Sequence, residues 1–228
     1  MRPPRYPSPP DDAGMANLDA HAARLLQVNA GRARELEWHG KTIRTAIWKE
    51  RIDGPVTLRG VNVGGDDQAD RSVHGGEDKA VYAYAIEDYE FWAATERCEI
   101  HPGLFGENLT VQGLDLRSAL VGERWRVGTA LLEVAQPRLP CFKLGIRVGD
   151  PEFPKRFQLA LRPGAYLRII ENGILQAGDI VRVAVRPDHG ITMAMMIESL
   201  REPAKALALL DAPQLPVGWR AGKGNVAK

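Results

Sequence analysis

Short β-prone runs, each cut off by glycine, proline or charged residues, recur along most of this chain, and that punctuation limits its fold more than any other feature. Three come early, at Leu25–Val28, Thr42–Trp48 and Val56–Val63; in the second, Ile43 and Ile47 frame Thr45 on one face. A Gly- and Asp-rich loop, Gly64–Gly76, leads into Lys79–Ile86, where Val81 and Ala83 alternate with Tyr82 and Tyr84. Further strands are expected at Leu109–Gln112, Glu123–Val127 and Ala130–Ala135. The clearest hairpin signal spans Ala165–Arg186. There Asn172-Gly173, between Ile170-Glu171 and Ile174-Leu175, suits a two-residue turn with positive φ, and Val181, Val183 and Val185 alternate with polar or small neighbours. So many short strands are expected to give a mainly β fold with some α, built on a closed or partly closed β-barrel.

Helical signals are fewer. Glu87, Asp88 and Glu90 favour the positive end of a helix dipole, with Tyr89 and Trp92 on adjacent turns. Past Pro187 the period changes: Met193, Met196, Ile197 and Leu200 follow i, i+3, i+4, i+7 behind Thr192 as N-cap. Pro203 then suits the first turn of another helix carrying Leu207 and Leu210. The expected division is a disordered proline-rich extension over residues 1–16, a β-barrel domain over 17–187 and a small helical subdomain over 188–228. Met15 is a second candidate start, and no repeat of solenoid period occurs.

Composition excludes several classes of function. The 228 residues, 44% hydrophobic and 26% charged, suffice for one sizeable core or a core with a small appendage. A formal charge of +1 offers no field to attract phosphate backbones, so nucleic acid is not an expected partner. Apolar runs such as Met193–Ile197 fall far short of the roughly 20 residues that span a bilayer, and the N-terminus lacks the apolar stretch of a signal peptide, so no membrane association is expected. With Cys98 and Cys141 as its only cysteines, the chain has no disulfide framework, zinc ribbon or four-thiolate iron–sulfur set, and the cytoplasm is its expected compartment. The usual dinucleotide, P-loop, nucleophile-elbow and zinc-protease motifs are absent from their required contexts.

Three segments could carry chemistry. In Gln136–Lys143 two prolines fix the backbone around Cys141, and the nearby cations Arg138 and Lys143 favour a thiolate, the nucleophilic and metal-binding form of cysteine. On the residues alone, a buried structural cysteine remains the better-supported reading. In His74–Lys79, Gly75 and Gly76 allow a tight turn that exposes N–H groups to an anion, and Lys79 adds a charge; the alternative is a His74 that satisfies a loop hydrogen bond. Asp66, Asp67 and Asp70 lack calcium-loop spacing and read as a solvated loop. In Pro102–Thr110, Asn108 offers a donor and an acceptor and Glu107 could orient a cation or pterin N–H groups, while spacing alone favours a loop knot in which Phe105 plugs the core and Asn108 caps the backbone. Tyr166 and Arg168 can be read as plain hairpin residues.

Together, GDDQADRSVHGGEDKAVYAY, PGLFGENLT and QPRLPCFKL, in this order and at these separations, resemble the MOSC domain, in particular its stand-alone bacterial YiiM-like branch. The resemblance covers roughly Arg24–Arg186, and the tail resembles the small three-helix subdomain often attached in that branch. It implies a MOSC-type β-barrel binding a molybdopterin-type molybdenum cofactor, with Cys141 as metal ligand. Cys141 and His74 are then the candidates for chemistry, and Arg138, Lys143, Lys79, Gly75, Gly76, Glu107 and Asn108 are the cofactor-pocket candidates. Family members characterised as enzymes reduce N-hydroxylated compounds, including hydroxylamine-type base analogues, to amines. The same resemblance implies a small N-hydroxylated substrate and electrons from a separate reductase, because the chain has no cluster, flavin or nicotinamide module of its own; a homodimer is compatible with it. Two alternatives use the same pocket: a sulfur carrier with a Cys141 persulfide, and a non-catalytic molybdopterin-binding module.

Overall fold

The computed structural model describes residues 22–69 and 75–222; the proline-rich stretch over 1–16 and His74 lie outside the described residues. The strands are β1 (Arg24–Ala30), β2 (Arg34–Trp38), β3 (Lys41–Thr45), β4 (Glu50–Ile52), β5 (Val56–Arg59), β6 (Asn62–Val63), β7 (Val81–Ala85), β8 (Leu109–Gln112), β9 (Arg124–Val127), β10 (Ala130–Gln136), β11 (Ala165–Glu171), β12 (Gly173–Leu175) and β13 (Val181–Val185). Helix α1 (Ile86–Thr95) joins β7 to β8, α2 (Phe142–Val148) and α3 (Phe153–Leu159) lie between β10 and β11, and α4 (Met193–Ser199), α5 (Pro203–Ala208) and α6 (Val217–Arg220) follow β13.

Eight strands form one sheet in the order β13-β9-β10-β11-β7-β8-β1-β4, antiparallel except where β7 lies parallel to β8. A parallel pair cannot be joined by a hairpin, and α1 supplies the crossover. The β13 end returns to β1 through the bridge Arg24–Ile180 and through backbone bonds such as Leu25 N–H to Asp179 O, 2.8 Å, and Val181 N–H to Ala23 O, 2.8 Å. No ladder among the described residues closes the sheet into the expected barrel, so the fold is a sheet-dominated mixture of strands and helices.

β7 explains how the sheet carries two cores. Its side chains alternate as read from the sequence, but both faces are buried: Val81, Ala83 and Ala85 join Leu25, Trp125 and Leu132 on one side, while Tyr82 and Tyr84 join Trp92, Phe105, Phe153 and Phe157 on the other. Each large side chain fully buried in this way contributes roughly 1.5–3 kcal/mol. The tail enters the first cluster through Met193, Met196, Leu209 and Trp219. Thr192 does cap α4, accepting from Met195 N–H at 3.1 Å, whereas Leu207 and Leu210 are exposed and Leu209 is the buried leucine.

The Asn172-Gly173 hairpin does not form. β12 pairs with β5, not with β11, and neither Asn172 nor Gly173 has the positive φ that a type I′ turn requires. Asn172 Oδ1 instead accepts from Gly60 N–H at 2.9 Å, and Gly173 lets two backbones meet: a Cβ there would lie 2.4 Å from Ala130 N. Gly173→Ala should therefore cost about 1–3 kcal/mol of stability, readable as a lowered denaturant midpoint; an unchanged midpoint would show that the contact relaxes freely. The hairpin with that geometry lies elsewhere, at His39-Gly40 between β2 and β3, where φ is 48° and 71°. The strand expected over Thr42–Trp48 stops at Thr45, and Lys79 ends a 3-10 turn, Glu77–Lys79, rather than starting β7.

Candidate functional site

Six stretches of backbone meet around one open cleft: the exit of β3, the loop after β6, the turn into β7, the loop before β8, the exit of β10 and the start of β11. Its lining includes Cys141, Arg138, Lys143, Lys79 and Asn108 from the sequence candidates, together with Lys49, Asp66, Gln68, Tyr82 and Tyr166.

Cys141 is half-buried, outside any disulfide, and sits immediately before α2 without using its side chain to cap the helix. The segment is tied to its surroundings by more than its prolines. Two residues on, Lys143 Nζ donates to Arg44 O at 3.1 Å, and Arg138 is buried with its guanidinium donating to Phe105 O and lying 5.0 Å from the centre of the Tyr82 ring. Burial holds the Tyr82 and Tyr166 hydroxyls above their ordinary range, so both stay protonated; Tyr82 donates to Pro163 O at 2.9 Å. Burial also lowers the Lys79 ammonium from its ordinary range, against the opposing charge of Asp78.

Asn108 clips the cleft floor together. Its Oδ1 accepts from Tyr82 N–H at 3.1 Å, and its Nδ2 donates to Asn29 O at 3.2 Å and to Asp66 Oδ2 at 2.9 Å. Asp66 is no solvated loop residue. It forms an ion pair with Lys49, the two side chains being 7% and 8% exposed, and accepts from Gly31 N–H at 2.8 Å. Asp67, its neighbour, accepts from Ala33 N–H at 2.9 Å, and that bond is the main cause holding its carboxyl below the usual range. Asp70 lies outside the described residues.

The remaining candidates fall differently. Glu107 is fully buried and turned into its own loop, where its carboxylate accepts from Gly103 N–H at 2.5 Å, Tyr89 OH at 2.8 Å and Thr110 Oγ1 at 3.0 Å. It is not part of the cleft lining; it holds the loop that Phe105 plugs. Burial pushes its carboxyl above the ordinary range, against those bonds. Gly75 and Gly76 also stand outside the lining. Gly76 precedes the 3-10 turn with φ 90°, and its N–H points at Gln68 Oε1, 3.4 Å away, rather than forming an anion nest. Tyr166 lines the cleft, whereas Arg168 ties Asp78, Glu133 and Gln214 O together away from it. Lys49, between Trp48 and Glu50, carries no local signal of burial; Asp66 stands inside the first of the three motifs and could have been read from it.

Residues 70–182 match the MOSC domain family. YflK of Bacillus subtilis is 35% identical over 201 residues, spanning 86% of this chain and 91% of its own. The chain belongs to the MOSC domain family. A protein of Gibberella moniliformis named as a reductase is 34% identical to this MOSC chain over 198 residues, 85% of the chain but 35% of that longer protein. Among solved structures, YiiM from Geobacillus stearothermophilus superposes on this MOSC chain with a TM-score of 0.71 at 25% identity, covering 88% of this chain and 96% of the other. No helix among the described residues is long and apolar enough to cross a membrane.

Proposed function

We propose that this chain is a molybdenum-cofactor oxidoreductase that reduces N-hydroxylated compounds to amines with electrons from a separate reductase. The observation that carries the reading is the donor set of the cleft: one cysteine sulfur with Lys49, Lys79, Arg138 and Lys143 around it. A soft sulfur suits a transition metal, and cations suit the phosphate of a pterin cofactor. The residues present therefore fit the group.

When bound, the cofactor supplies two-electron oxygen-transfer chemistry that amino-acid side chains lack. The chain supplies the rest. Cys141 presents sulfur at one wall, Arg138 and Lys143 flank it, and Asn108 with the Lys49–Asp66 pair fixes the floor. Tyr166, kept protonated by burial, offers a hydrogen-bond donor to a substrate oxygen or nitrogen. Overall the substrate's N–O bond breaks, its oxygen leaves as water, and the amine forms at the expense of two electrons from the reductase and two protons.

The test is elemental analysis, with cofactor fluorescence, on protein made in a molybdopterin-competent host. One molybdenum per chain with N-hydroxyl reduction is the expected result. Sulfane sulfur on Cys141 without metal would replace the reading with a sulfur carrier, and stoichiometric cofactor without turnover would leave a binding module.

A further inference from the structure

The helical tail reaches the edge of the cleft through two chains of hydrogen bonds, and both end on Asp78. In α6, Trp219 Nε1 donates to Gln136 Oε1 at 2.8 Å, and Gln136 Nε2 in turn donates to Asp78 O at 3.3 Å. In the loop before α6, Gln214 O accepts from Arg168 Nη2 at 2.9 Å, while Arg168 Nε donates to Asp78 Oδ1 at 2.6 Å. Arg220, next to Trp219, fastens that loop to the helix by donating to Ala212 O at 3.0 Å, Pro213 O at 2.8 Å and Leu215 O at 3.1 Å.

Asp78 and Gln136 each adjoin a wall of the cleft. Asp78 precedes Lys79 in the 3-10 turn, and Gln136 is the last residue of β10, two positions before Arg138 and five before Cys141; Lys79, Arg138 and Cys141 all line the cleft. Trp219 and Gln136 are 6% and 5% exposed, so a group that loses its partner there bears its desolvation cost in full. The tail also meets the sheet through Met193, Met196 and Leu209, but apolar burial is non-directional. The hydrogen bonds are what fix where the two walls stand.

We propose that Trp219 and Gln136 are positioning residues, through which the tail holds the Lys79 turn and the Cys141 segment in a fixed relation and so keeps the cleft in one shape. The role holds for any ligand of the cleft and does not require the molybdenum reading.

Iodoacetamide alkylation of Cys141, followed by mass spectrometry on the full chain from a host that makes no molybdopterin, reads the opening of the segment. Cys98, half-buried and outside the cleft lining, is the internal control in the same molecule. Trp219→Phe keeps an aromatic ring but removes the N–H, whereas Gln136→Glu still accepts from Trp219 but cannot donate to Asp78 O. Each should raise the Cys141 rate about threefold to tenfold, the scale of one buried hydrogen bond, and leave the Cys98 rate unchanged. The double variant should do no more than either alone, because both substitutions cut the same chain. Leu209→Ala, which removes buried apolar surface from the same tail, should lower the denaturant midpoint without a rise confined to Cys141. Unchanged Cys141 rates in Trp219→Phe and Gln136→Glu, or equal acceleration at both cysteines, would overturn the proposal. So would a Leu209→Ala protein that speeds Cys141 alone, since the tail would then act through packing.

Discussion

Cys141→Ser is expected to yield a folded protein without molybdenum and without N-hydroxyl reduction. Serine differs by one atom, and at a half-buried position where the side chain caps nothing the change in stability should stay within about 1 kcal/mol. The chemical change is larger: a hard, protonated hydroxyl replaces a soft sulfur donor. Loss of a residue that merely neighbours a metal ligand costs roughly 10–100-fold in affinity or activity, so loss of the protein's own ligand should exceed that. Cys98→Ser is the matched control, since Cys98 is also half-buried but lies three residues past the end of α1 and outside the cleft lining. Molybdenum content and turnover on both variants settle the matter. Full activity in Cys141→Ser would strip Cys141 of its role, and a large loss in Cys98→Ser alone would exchange the two thiols.

Why Cys141, Asn108 and Lys79 could be picked out of the sequence and Lys49 could not follows from how each signal is encoded. The motifs around Cys141, Asn108 and Lys79 are local strings, and all three residues do meet in the cleft. Local patterns also served for β7 and for the Thr192 cap, whose partner lies three residues away. They failed where a residue answers to a distant part of the chain. Asn172-Gly173 carries a hairpin signature, yet its geometry is dictated by Gly60 and Ala130. Helices α2 and α3, at seven residues each, complete too few turns to display a period, and they are stabilised by Phe153, Phe157 and Leu144 packing into the aromatic cluster. Glu107 was open to two readings, a ligand or part of a loop knot; the structure turns its carboxylate into the loop, and nothing local reveals that Tyr89, eighteen positions earlier, donates to it.

Asp66→Ala should be the most damaging single change in the cleft floor, at about 3–5 kcal/mol, because it leaves a buried ammonium without its counter-charge. Asn108 Nδ2 and Gly31 N–H lose an acceptor at the same time. The pH dependence identifies the cause. Burial already lowers Lys49 from its ordinary value, with Asp66 the main opposing influence, so removing Asp66 lowers it further. A lysine depressed in the folded state binds fewer protons there than in the unfolded chain, and stability then rises with pH from the folded value up to the ordinary lysine range. The window is wider in the variant, so its deficit should be greatest at neutral and acid pH and should shrink in alkaline solution. Denaturant midpoints of the two proteins at several pH values measure this directly. Asp66→Asn, which keeps an acceptor without the charge, should show the same alkaline recovery from a smaller deficit. A deficit independent of pH in both variants would mean that the lost hydrogen bonds, and not the stranded charge of Lys49, carry the cost.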